Sequence, residues 1–278
     1  MNSASAAWVA PGRQRYWDWR AAGNFILGGA GAGVLVYAAV SGERALGLPG
    51  AALIGCGLLG VWFEIGRPRR ALNAFRRPAT SWMSREAVVA SLLLPSALLE
   101  AWLGRPWLPW LAAGLAVTYL YCQARMLNGA RGIPAWRHPR TVPLLMASGL
   151  AEGAGLGVLL GRWDPTAPPA WTPALLATLL LARAIGFWSY RRGLEDSRVH
   201  ARVLRESARF GRVFMALDAL AIAAAILGAA DARMAPLVPV SGLIAAGSGA
   251  WLKYSLVIRW SYQQPFSMPV VVARGGGL

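Results

Sequence analysis

The feature that most constrains this chain is an alternation: apolar stretches close to a bilayer in length, separated by segments where arginine is concentrated. A hydrocarbon core about 30 Å thick takes roughly 20 apolar residues in helical form. Stretches that meet or approach this length fall at about 21–41, 50–66, 87–104, 107–126, 142–161, 174–190, 213–230 and 236–257. The second and sixth are short, but arginines flank them, and arginine stems lie along apolar surface while the guanidinium reaches water. A chain in lipid must satisfy its own backbone hydrogen bonds, which a helix does segment by segment. The sequence therefore predicts an all-α integral membrane protein of eight transmembrane helices, arranged as two four-helix bundles. It reads as one membrane domain over residues 1–278: a segment 1–20, an eight-helix core 21–257 and a tail 258–278.

Charge decides the setting. Only 14% of the residues are charged, against roughly 25% in a soluble domain, so a water-facing shell is excluded. The 28 basic residues outnumber 12 acidic ones, a net charge of +16, which points either to nucleic acid or to a membrane. Their placement favours the membrane. Arg13, Arg15 and Arg20 precede the first stretch, and Arg67, Arg69, Arg70, Arg76, Arg77 and Arg85 separate the second from the third. Arg125, Arg131, Arg137 and Arg140 follow the fourth, and a further run from Arg191 to Arg212 follows the sixth. The alternate loops hold one each: Arg44, Arg105, Arg162 and Arg233. By the positive-inside rule both termini and the arginine-rich loops face the cytoplasm, which requires an even number of spans. Tryptophans such as Trp17, Trp62, Trp102, Trp107, Trp136, Trp171 and Trp260 fall near the ends of the stretches, where amphipathic rings favour the headgroup level. No soluble domain remains to present the arginines to nucleic acid. No apolar stretch precedes the first span, so no cleavable signal is expected.

Cys56 and Cys122 lie inside apolar stretches with no CxxC spacing, and His138 and His200 lie in arginine-rich segments. An iron–sulfur cluster, a zinc knuckle or an intramembrane haem therefore finds no ligand set here. Ionisable groups at membrane depth are functional candidates by default. Glu64 closes the second stretch and Glu86 opens the third, at the same cytoplasmic boundary. Each reads either as a site carboxyl or as an interfacial one paired with Arg67, Arg69 or Arg85. Glu152 and Arg183 fall near the middle of the fifth and sixth stretches, which points to a buried ion pair or, with Asp218 in the seventh, to a proton path. Glu100 reads as interfacial. Asn24 is either an interhelical hydrogen bonder or a ligand contact, and Gly28, Gly29, Gly31 and Gly33 after it allow close helix approach.

Three segments carry a resemblance. FEIGRPRRALNAFRRPATSWMSRE, Phe63 to Glu86, resembles the signature of the membrane anchor subunits of the dimethyl sulfoxide reductase family (DmsC-like), within the polysulfide reductase/NrfD superfamily. RMLNGARGIPAW, Arg125 to Trp136, resembles the segment that follows the fourth span of those anchors, and YWDWRAAGNFILGGAGAG, Tyr16 to Gly33, resembles the first span of related anchors. The resemblance implies a haem-free quinone-reactive subunit of the cytoplasmic membrane. On it an iron–sulfur subunit and a molybdopterin catalytic subunit dock, and electrons pass between the cluster and an isoprenoid quinone, menaquinone or ubiquinone. The family places a His and a Glu around the quinone, at the positions of Glu64 and Glu86; Glu64 departs from that pattern. Quinone chemistry takes two protons as well as two electrons, so these carboxyls are read as the proton-exchanging groups. Asn24, Tyr121 and Arg85 are read as quinone contacts. Two other readings stand beside this one: a multi-span transporter, and a purely structural anchor that binds no quinone.

Overall fold

The computed structural model describes residues 8–9, 12–64, 68–161, 169–197, 199–264 and 266–267. Eight long helices account for most of them: α1 (Trp19–Ser41), α2 (Gly47–Glu64), α3 (Trp82–Leu103), α4 (Leu108–Asn128), α6 (Thr141–Leu160), α7 (Thr172–Glu195), α8 (Ala201–Ala230) and α9 (Leu237–Tyr254). A single turn, α5 (Pro134–Arg137), lies between α4 and α6, and a π-helical turn Ser255–Arg259 continues α9. Each predicted apolar stretch is a helix. Six of the eight are long and apolar enough to cross a bilayer. The two that fall short, α4 and α9, are diluted by polar residues such as Gln123 and Arg125 on one and Lys253 on the other.

Local signals set the ends. Asp18 caps α1 by accepting from the Arg20 amide at 2.8 Å, and Ser81 caps α3 by accepting from the Ser84 amide at 3.4 Å, each satisfying a donor left open by the first turn. Gly42 and Gly104 end α1 and α3 in the left-handed conformation, at φ 80° and 58°. Three boundaries differ from expectation. α3 starts at Trp82, which brings Glu86 inside the helix. α7 runs to Glu195, and α8 begins at Ala201 rather than near 213. Residues 201–212 extend α8 past the apolar stretch because Val203, Ser207, Phe210 and Phe214 bury one helical face while the arginines point outward, with Arg202 pairing with Glu206 at 2.7 Å.

α1 through α4 pack on one another and α6 through α9 on one another, with the principal seam between the two groups where α1 meets α6. Glycine makes that seam. A Cβ at Gly33 would fall on the backbone of Gly149, and one at Gly153 on the backbone of Gly33, so only bare backbones fit at this depth. The chain ends meet at the arginine-bearing end: Trp8–Val9 pairs antiparallel with Phe266–Ser267, and the Gln14 amide donates to the Ser261 carbonyl at 2.9 Å. Two tryptophans near the helix ends turn inward rather than out toward lipid. Trp136 and Trp260 are buried with Phe187, Phe210 and Phe214, and the Trp136 indole donates to the Leu256 carbonyl at 2.7 Å. Trp102, 89% exposed, keeps the interfacial character.

Candidate functional site

Four polar side chains meet inside the first bundle. Asn24 projects from α1, Glu86 from the second turn of α3, and Tyr119 and Gln123 from one face of α4, four residues apart. All four are buried, Glu86 at 4% exposure. The Asn24 amide donates to Oε1 of Glu86 at 3.3 Å, and the Tyr119 hydroxyl donates to Oδ1 of Asn24 at 3.5 Å. Gln123 Nε2 donates to the Asn24 carbonyl at 3.1 Å and to the Tyr119 hydroxyl at 3.2 Å. Glycines admit this cluster. A Cβ at Gly28 would lie 2.7 Å from both Gln123 Nε2 and the Tyr119 hydroxyl, and one at Gly57 of α2 3.0 Å from Asn24 Oδ1.

Glu86 and Asn24 face a cavity of about 260 Å³ whose other walls are Trp17, Ala21, Phe25, Val61, Met83 and Met126. It is apolar with two polar groups side by side, the usual make-up of a small-molecule site. Among the described residues no cation pairs with Glu86. The polar groups around it are neutral, so it is a carboxyl that can gain or lose a proton without breaking an ion pair. Larger clefts of about 550 and 570 Å³ lie at the arginine-bearing end. Trp17 lines both clefts and the cavity.

The predicted contacts divide. Asn24 and Glu86 come together. Arg85 turns away from the cavity: Nε donates to the Pro78 carbonyl and a terminal nitrogen to the Ala79 carbonyl, each at 2.7 Å, while the guanidinium stacks 4.1 Å from the Trp82 ring. Tyr121 is 41% exposed and packs edge-on against Trp82 at 5.6 Å. Two positions along a helix is a rotation of about 200°, so Tyr119 takes the inward place that Tyr121 was expected to hold. The Glu64 side chain lies outside the described residues, as do those of Arg67, Arg69 and Arg70.

The second bundle also holds charge, in a different pairing from the one expected. Glu152 does not meet Arg183. Its Oε2 accepts from Lys253 Nζ at 2.9 Å and its Oε1 from the Ser148 hydroxyl at 2.8 Å. Arg183 forms a two-pronged ion pair with Asp218, with Nε at 3.1 Å from Oδ2, and also donates to the Ala245 carbonyl and the Ser248 hydroxyl, each at 2.7 Å. α6 and α7 are neighbours, but Glu152 faces Gly249 of α9 and Arg183 faces α8. Lys253 was missed, although it is the chain's one lysine and lies in an apolar stretch. Gln123 and Tyr119 were missed too; their spacing on one face of α4 was the available signal.

Residues 46–182 match the family model described as DMSO reductase anchor subunit (DmsC). The chain is a DmsC-like anchor. The match takes in α2 through α6 and hence Glu86, Tyr119, Gln123 and Glu152, while Asn24, Arg183, Asp218 and Lys253 lie outside it. No curated protein matches the chain. The match and the apolar helices together support a membrane anchor of the DMSO reductase family.

Proposed function

We propose that this anchor is the haem-free, quinone-reactive subunit of a molybdopterin/iron–sulfur oxidoreductase and that its quinone headgroup enters the cavity beside Asn24 and Glu86. The observation that carries the reading is a buried carboxyl, without a cation partner among the described residues, beside an apolar cavity of about 260 Å³. An apolar protein cavity of about 150 Å³ holds benzene, so this one suits a substituted quinone ring, with the isoprenoid tail left outside among the lipid chains. Bound there, a quinone supplies a two-electron, two-proton couple. The Asn24 amide is placed to orient a ring oxygen, and the Glu86 carboxyl to hold or release the proton that accompanies each electron transfer. Exclusion of water by Trp17, Phe25 and the two methionines strengthens those polar contacts.

The setting follows from the charges. All eight helices span the cytoplasmic membrane in this reading, with both termini and the arginine-rich loops on the cytoplasmic side. That positive face receives the iron–sulfur subunit, which carries the molybdopterin subunit, and Trp17 stands between the face and the cavity. Menaquinone and ubiquinone both fit the argument. Glu86→Gln tests it, because the amide keeps the shape and removes the proton exchange. Quinol-linked turnover of the assembled complex should fall about a hundredfold or more, with its subunits still attached. Wild-type turnover in that variant would refute the assignment.

A further inference from the structure

The two buried polar groups, one in each bundle, meet at Gly29. A methyl added at Gly29 would fall on Nζ of Lys253 and lie 3.6 Å from Oε1 of Gln123. The missing side chain thus leaves one niche that both groups reach, across α1 and between the bundles. From Glu86 hydrogen bonds run through Asn24 and Tyr119 to Gln123, whose Oε1 borders that niche opposite Lys253. Beyond the niche the polar series continues from Lys253 to Glu152 and ends at the Ser148 hydroxyl. Every member is buried. Gly28 opens the near half of the series and Gly29 the far half, whereas Gly31 and Gly33 meet only backbone and apolar carbon.

We propose that Lys253 and Glu152 are a proton-holding station for the Glu86 cavity, so that the two protons of a quinol have two carboxylates to receive them. The proposal rests on the quinone reading of that cavity. In quinol oxidation, two electrons go to the iron–sulfur subunit and two protons stay with this chain. Glu86 takes one as a carboxylic acid. Lys253 hands its own proton to Oε2 of Glu152 and takes the quinol's second proton across the Gly29 niche, so that an ammonium–carboxylate pair becomes an ammonium beside a carboxylic acid. Reduction runs the same transfers backwards. Buried chains of ionisable groups are the ordinary means of moving protons within a membrane. Lys253 faces Glu152 from α6, Gln123 from α4 and, through space, Arg183 from α7. Arg183 has no part in the transfer, because its guanidinium does not give up its proton in proteins and is already tied to Asp218.

The test uses the complete complex in native membranes with a short-tailed quinol, and two kinds of variant. Lys253→Met with Glu152→Gln removes both charges together, which avoids leaving one buried and unpaired. Gly29→Ala displaces only the end of the Lys253 side chain. The double variant should lose about tenfold or more in turnover with an altered solvent deuterium isotope effect, while a fluorescent quinone analogue binds as in the wild type. Gly29→Ala should lose a smaller factor in the same direction. Wild-type turnover and isotope effect in both, with Glu86→Gln inactive, would overturn the station and leave the cavity assignment standing. If Glu86→Gln were itself fully active, the cavity assignment would fall and the station with it.

Discussion

The two bundles solve one problem in opposite ways. In the second, Arg183 and Asp218 are fully buried, doubly hydrogen-bonded to each other, and backed by Ser248 and the Ala245 carbonyl. In the first, Glu86 is also buried but among the described residues is hydrogen-bonded by the neutral Asn24 amide, with a cavity on its open side. The Arg183–Asp218 pair, with every prong bonded, fastens helices together. A lone carboxyl beside an apolar cavity contributes little to that and is available for chemistry. Burial alone therefore does not mark a site; the kind of partner does.

That contrast makes ordered predictions. The largest effect belongs to Asp218→Ala, which leaves the Arg183 guanidinium buried and uncompensated. Removing one member of such a pair costs about 3–5 kcal/mol, to be read from unfolding of the detergent-purified chain; a loss below about 1 kcal/mol would break the comparison. Gly153→Ala comes next. The added methyl meets backbone rather than a movable side chain, so the α1–α6 seam should weaken by about 1–3 kcal/mol, the cost of overpacking. Glu86→Gln should shift stability by only about 0.5 kcal/mol in either direction while removing quinol turnover, a separation of stability from function that Asp218→Ala does not show.

The smallest effect lies outside the membrane at His138. Burial first, then the nearby Arg140, lowers its pKa, against a weaker opposing pull from Asp196. The folded chain thus favours the neutral imidazole, whose contribution is present above the unfolded-state pKa of about 6.5 and fades as pH falls below it. Thermal midpoints at about pH 7.5 and pH 5.5 should differ slightly in the wild type, and less in His138→Gln.

Much of this was legible in the sequence. Apolar stretches of bilayer length announced all eight helices, and alternating arginine density announced which ends belong together. Asn24 stood out as a polar residue in an apolar stretch, and Glu86 as a boundary carboxyl at a position that the family resemblance marks. What the stretches lack is rotation. Depth along a helix can be counted, but the face a residue presents depends on neighbours, so Tyr121 was taken for the inward tyrosine and Glu152 was paired with Arg183 at matching depth. The glycines after Asn24 show the same limit. The run signalled close packing, which Gly31 and Gly33 provide, but not that Gly28 and Gly29 make room for polar side chains from α4 and α9. The start of α8 was missed because arginines on its outer face hid the helical burial of Val203 and Phe210.

The most direct test of the central claim is photo-cross-linking of an azido-quinone to the membrane-bound complex, with the labelled residues read by mass spectrometry. Labels on Met83, Met126 or Trp17, displaced by excess quinone and reduced in Glu86→Gln, are the result predicted. Displaceable labels confined to α7 and α8 around Arg183 and Asp218 would contradict it.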